Sequence, residues 1–189
     1  MPKITAPTVA EHRENQHQLI LDAALEAIVE SHGSVPTVGE VAKRVGLARS
    51  SVYQYVSSKT ELVAQLLTRF MRRWESAVGQ AMAQAGEDPR ARLEAYVESN
   101  LDLFAKWQED ALMHAASQEP DAFRDERVVA AHEALRPALL DALVAAGIPE
   151  CEADPYSSLL DSAIHSAARL ILEGQDRATV GRALARFLP

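Results

Sequence analysis

The sequence predicts an all-α chain, and three observations carry that prediction. Ala and Leu, both strong helix formers, dominate its 189 residues, of which 48% are apolar. Glycine and proline number only 8 and 9, few for a fold built from hairpins. Apolar residues recur at helical spacing between breaks rich in Gly, Pro and acids, and no stretch alternates convincingly as a strand does.

The elements follow in order. Residues 1–12 lack periodicity and hold two prolines, so they read as a flexible tail. From Arg13 to Ser31 the positions Leu19, Ile20, Ala23, Ala24, Ala27 and Ile28 form a helical stripe, which Gly33 and Pro36 stop. Thr37 followed by Glu40 is a capping-box pattern, opening a short helix with Val38, Val41, Ala42 and Val45 on one face. Gly46 ends it, and a second short helix is expected from Arg49 to Tyr55, with Val52 and Val56 inward. Ser57 and Ser58 interrupt the pattern before a long helix, residues 59–85, whose stripe runs from Leu62 to Val78. The segment Gly86–Pro89 is a break, and further helices are expected over 89–106, 109–118, 121–146, 155–173 and 177–187. This layout divides the chain into a small domain over 13–60 and a larger one over 61–189, with helix 59–85 as the link.

Several function classes are disfavoured by the same reading. No run approaches the roughly 18 to 20 apolar residues that a membrane span needs, and Met1–Ala10 lacks the apolar segment of a signal peptide, so a cytoplasmic protein is expected. Cys151 is the one cysteine and lies between Glu150 and Glu152, a setting that disfavours its thiolate. Among the histidines, His12 and His17 are five apart, whereas helical zinc ligands stand three or four apart, so neither a metal nor a cofactor is expected. No phosphate loop, nucleophile elbow or Ser-His-Asp order appears, and the chain is not read as an enzyme.

The informative stretch is Thr37–Leu62. Two short helices joined by a Gly-containing turn form a helix-turn-helix, with small Ala42 where the backbones approach. The chain carries a net charge of −8, yet Thr37–Lys59 holds Lys43, Arg44, Arg49 and Lys59 against Glu40 alone. Residues 61–189 carry 13 basic and 21 acidic residues, so a small basic segment sits on an acidic body. The second helix would present Arg49, Ser50, Ser51, Tyr53 and Gln54. Arg49 has the fork for guanine and Gln54 the amide for adenine in a major groove, while hydroxyls suit phosphate oxygens. Lys59 opens the next helix, where an anion would be favoured.

The ordered residues Val38, Glu40-Val41-Ala42, Gly46-Leu47-Ala48, Val52-Tyr53, Tyr55-Val56, Ser58-Lys59 and Leu62 resemble the N-terminal domain of the TetR family of transcriptional regulators. That family usually has Phe where this chain has Val56 and often His where it has Tyr55; an apolar residue and a ring remain. The resemblance covers residues 13 to about 75, and beyond them only the helical layout matches. It implies a homodimer that binds a palindromic double-stranded DNA operator, acts as a repressor, and is released by a small-molecule effector. Carried over position by position, Thr37, Tyr53, Tyr55 and Lys59 would contact phosphates, and Arg49, Ser50 and Ser51 would contact bases or phosphates. Gln54 joins them on its chemistry, and Lys43 and Arg44 approach the backbone at most.

In the larger domain, Trp74, Tyr96, Phe104, Trp107, Met113 and His114 are the candidate lining of an effector pocket, and they suit an apolar or aromatic molecule. Leu159, Leu160, Ala163, Ile164, Ala167, Ala168 and Ile171 cover more than one helix face and are the candidate dimer interface, although a stripe within the chain's own core has the same pattern. A helical small-molecule enzyme or carrier, and a helical protein-interaction module, share the composition. Replacing Arg49 and Lys59 with Ala would leave the enzyme or carrier unaffected, and a lack of salt-dependent DNA binding would mark the interaction module.

Overall fold

A computed structural model describes residues 9–104 and 107–189, with side chains placed for 10–104 and 111–189. Its elements are helical: α1 Val9–Glu30, α2 Val38–Arg44, α3 Arg49–Val52, α4 Lys59–Gln84, α5 Pro89–Phe104 and α6 Trp107–Ser117. A 3-10 turn over Pro120–Arg124 follows, then α7 Glu126–Glu133, α8 Arg136–Ala145, α9 Glu150–Leu172 and α10 Arg177–Ala185.

The described helices differ from the expected ones at identifiable places. Helix α1 begins at Val9, so part of the expected tail is helical, while residues 1–8 of it lie outside the described residues. The helix expected over 121–146 is three pieces. Asp125 is extended, at φ −61° and ψ 128°, and Pro137 occupies the first turn of α8, where a missing N–H and a fixed φ are tolerated. Pro155 was expected to open α9 but lies inside it, the helix starting at Glu150. That proline sits within the second turn of the helix at an exposed position.

The described residues form two compact units, one holding residues 9–67 and 111–125 and the other residues 68–104, 107–110 and 126–189. Residues 111–125, which the sequence reading placed with the larger section, thus group with the N-terminal helices. Gly33 shows why. Its φ of +102° is the left-handed conformation that ends α1, and its N–H donates to the Ile28 carbonyl at 2.7 Å. A Cβ built there would lie 2.5 Å from the His114 ring, so the α1–α2 connection and α6 pack without room for a side chain. Gln118 Nε2 donates to the Gly33 carbonyl at 2.8 Å, and the Thr60 hydroxyl donates to Glu119 at 2.7 Å.

The second unit is built around α5, which packs on α8, α9 and α10. Its core joins Trp74, Val78 and Met82 to Leu93, Val97, Leu101, Leu139, Leu143, Leu160, Ile164 and Leu184. One buried polar chain runs through it. Trp74 Nε1 donates to Asn100 Oδ1 at 2.7 Å, Asn100 Nδ2 donates to the Tyr96 carbonyl at 2.8 Å, and the Tyr96 hydroxyl donates to Asp161 at 2.7 Å. Burial, and then the neighbouring Asp161 carboxylate, push the Tyr96 phenol well above its ordinary range. Rings cluster at the periphery of this core: Phe104 stands 6.5 Å from Phe70 and 4.7 Å from His165, and Trp74 stacks on His132 at 6.0 Å.

Candidate nucleic-acid interface

The interface begins with a capping box. The Glu40 N–H donates to Thr37 Oγ1 at 3.2 Å, while the Thr37 N–H and hydroxyl donate to Glu40 Oε2 at 2.7 and 2.8 Å. These bonds, the backbone one first, hold the Glu40 carboxyl below its ordinary range, and the charge of Lys59 adds to them. Val38, Val41 and Ala42 of α2 are buried, as are Val52 and Val56, and α2 packs against α3. Between the helices Gly46 has φ +69°, and the Leu47 N–H closes the turn on the Ala42 carbonyl at 3.0 Å. On the side toward α1, Arg44 pairs with Glu30.

Helix α3 is shorter than expected. It ends at Val52, and the N–H groups of Gln54 and Tyr55 turn tightly back to the Ser51 and Val52 carbonyls. Arg49, Ser50, Tyr53, Gln54 and Lys59 are exposed, and Ser51 and Tyr55 are half-buried. Ser58 caps α4, accepting from the Glu61 N–H at 3.0 Å. Arg49 Nη2 donates to the Tyr53 hydroxyl oxygen at 2.9 Å and its guanidinium lies 5.4 Å from that ring's centroid. Tyr53 therefore keeps its own hydroxyl hydrogen available for an external acceptor. The Thr37 hydroxyl is engaged by Glu40 and would have to turn from it to donate elsewhere.

Tyr55 is held from several sides. His17 stacks on it at 5.9 Å, the Arg13 guanidinium lies 5.9 Å from its centroid, and Gln65 Nε2 donates to its carbonyl at 2.9 Å. The same Gln65 amide donates to Glu61 at 2.6 Å, which turns its carbonyl oxygen to His17 Nε2, also at 2.6 Å. His17 therefore carries its proton on Nε2 in this arrangement. Sequence reasoning missed Arg13, His17 and Gln65, because each touches Tyr55 across 10 or more positions and no local spacing records that.

Residues 20–66 match the model of the tetR family of bacterial regulatory proteins. That segment belongs to the TetR family. The TetR-type segment is also shared with a regulator named BetI from Stenotrophomonas maltophilia, 31% identical over 87 residues, covering 46% of this chain and 44% of that protein. A transcriptional activator named FasR from Mycolicibacterium smegmatis is 34% identical over 91 residues, covering 48% of this chain and 41% of that protein. The matched stretch thus spans under half the length of these curated relatives. Solved structures share the fold over nearly the whole chain. The fatty acid degradation regulator FadR from Bacillus halodurans superposes with a TM-score of 0.69 at 15% identity, covering 90% of this chain and 92% of that one. The TetR-like regulator LfrR from Mycobacterium smegmatis, solved in complex with proflavine, does so at 0.62 and 21%, covering 92% and 94%. The N-terminal helix-turn-helix followed by a helical C-terminal section is the TetR architecture.

The other candidate residues are dispersed. Trp74 and Tyr96 are buried in the second unit and Phe104 is half-buried there. Met113 and His114 belong to the first unit, where His114 stands against Gly33, and the Trp107 side chain lies outside the described residues. On α9 the expected interface splits: Leu160, Ile164, Ala167 and Ala168 are in the chain's own core, Ala163 and Ile171 are half-buried, and Leu159 is 71% exposed. A surface groove of about 390 Å³ lies between α5 and α10, lined by Glu94, Glu98, Arg177 and Arg182 over Val97 and Gly181. Among the described residues no His, Cys, Asp and Glu group is arranged to hold a metal ion, and no helix is long and apolar enough to cross a membrane.

Proposed function

We propose that this chain is a DNA-binding transcriptional regulator, a repressor that binds a palindromic operator as a homodimer and is released by a small apolar or aromatic effector. The observation that carries the reading is the exposed row Arg49, Ser50, Tyr53, Gln54 and Lys59 on a TetR-type helix-turn-helix whose apolar side is fully packed. Arg49 supplies a guanidinium for a guanine edge, Gln54 an amide for adenine, and Tyr53 and Lys59 donors for phosphates. Thr37, Ser50, Ser51 and Tyr55 complete the proposed contacts.

For the dimer, the proposed surface is the outer side of α9, where Leu159 and Leu170 stand exposed beside Ser162 and Ser166. A homodimer on a palindromic operator would place its two reading helices on half-sites about 34 to 36 Å apart. Leu159→Arg is expected to lower the mass measured by sedimentation, and an unchanged mass would remove this face. For the effector, the rings of Trp74, Phe70 and Phe104 support an aromatic or apolar molecule, in line with the proflavine bound by LfrR. Helix α4 supplies residues to both units, so a ligand that biases its position would alter DNA affinity.

The test is a fluorescence-anisotropy titration of DNA from upstream of the protein's own coding region at several salt concentrations. Tight binding that weakens steeply with salt and is reduced in Arg49→Ala is expected. Salt-insensitive binding, equal for wild type and Arg49→Ala, would overturn the assignment.

A further inference from the structure

We infer that a small residue at position 39, here Gly39, keeps clear the space in which the Arg49 stem lies, and that a bulky side chain there would displace the guanidinium and change which base pairs the protein prefers. The inference rests on the DNA-reading role proposed above and deepens it. Glycine is among the poorest residues for a helix interior, yet Gly39 sits in the first turn of the seven-residue α2. It is half-buried, with ordinary helical backbone that any residue could adopt, so the backbone does not call for glycine there. What lies over it is Arg49: a Cβ at Gly39 would stand 3.9 Å from Arg49 Cδ, 4.0 Å from Arg49 Nε and 3.8 Å from Thr37 Oγ1.

Arg49 is thus laid across α2 on one side and held by Tyr53 on the other, through the 2.9 Å hydrogen bond and the ring contact at 5.4 Å. Glu40, the acid of this helix, is bonded to Thr37, and among the described residues Arg49 makes no ion pair. The guanidinium is therefore placed and left un-neutralised before DNA arrives, which lowers the ordering cost of a long side chain on binding. An alanine fits, because its Cβ meets only ordinary contacts. A leucine does not, because its branches extend into the volume of the Arg49 stem. It would force the guanidinium off Tyr53 without removing its charge.

The test uses the full chain and a pool of duplexes with about 20 randomised base pairs, enough for two half-sites. The wild type enriches a site, and variants are titrated against that duplex and its single base-pair changes. Gly39→Ala is expected to bind within about twofold of wild type, whereas Gly39→Leu loses about tenfold and loses preference at the same base pairs as Arg49→Ala. The double variant Gly39→Leu/Arg49→Ala is expected to bind no worse than Arg49→Ala. Full additivity, or wild-type preferences in Gly39→Leu, would overturn the inference. A second measurement needs no DNA: the Arg49 Nε–H and Tyr53 ring resonances of the free protein should shift in Gly39→Leu and stay in place in Gly39→Ala. Unshifted resonances in Gly39→Leu would overturn the positioning on their own. A wild type that enriches no site would instead bring down the DNA-reading role, and the specificity role with it, whatever the resonances show.

Discussion

The two units of this molecule hold their shape by different means. In the first, the seven-residue α2 opens on a capping box and is followed by the left-handed Gly46, and the four-residue α3, which has no side-chain cap, packs against it. In the second, α5 with 16 residues and α9 with 23 hold one another through a continuous apolar core, with one buried polar chain through it. Short helices are marginal alone, so the first unit depends on caps and turns whose residue types are restricted. A core of aliphatic side chains accepts many combinations of similar volume, so the second unit leaves little trace of identity in its sequence. The matches to curated relatives over about half the chain, against structural matches over nine-tenths of it, are consistent with that difference.

Substitutions sharpen the contrast. The largest loss is expected in the second unit: Leu101→Ala, at a fully buried position on α5, should cost about 2–5 kcal/mol in denaturant unfolding. A cost under about 1 kcal/mol would mean the core is not packed as described. In the first unit the corresponding weak point is a turn. Gly33→Ala meets both a positive φ and the His114 ring, and a loss of about 1–3 kcal/mol is expected. Adding His114→Ala should recover the steric part and leave the backbone part, so complete rescue would argue against strain at φ +102°.

Smaller effects separate binding from stability. Arg49→Ala should reduce affinity for the enriched duplex by about 5- to 150-fold while leaving the melting temperature unchanged. Lys59→Ala should weaken all sequences alike and lower the salt slope by about one. Thr37→Ala removes the α2 cap and should cost about 1 kcal/mol in thermal unfolding. The capping box also predicts a pH dependence. The folded Glu40 carboxyl lies below its ordinary value of 4.5, so its contribution is present above that value and fades as pH falls through the folded pKa. Asp176, whose carboxylate caps α10 through Thr179, is lowered from 3.8 in the same way in the second unit. Glu40→Gln, which removes the titrating group, should therefore flatten the acid side of the stability profile, and an unchanged slope would place the acid sensitivity elsewhere.

The legible parts of the sequence were those whose physics is local. Thr37 and Glu40 are three apart, Gly46 follows α2 directly, and the valines of α2 and α3 repeat at helical spacing, so the helix-turn-helix and most of its exposed row could be read directly. Proline misled in both directions: Pro137 breaks the helix expected over 121–146, whereas Pro155 is tolerated inside α9. The packing around Tyr55 escaped because His17 reaches it from α1 and Gln65 from ten positions along the chain, separations that no helical spacing records.

By itself the sequence determined that the chain is helical, that a helix-turn-helix lies after Thr37, and that α9 buries an apolar stripe. Tertiary structure decided what each stripe is buried against. It turned Leu160, Ile164, Ala167 and Ala168 into the chain's own core and left Leu159 outside, grouped Met113 and His114 with the first unit, and laid Arg49 over Gly39. Periodicity records that a face leaves water, a property of one helix. Which surface receives it depends on elements far away in the sequence, and no spacing within the helix encodes them.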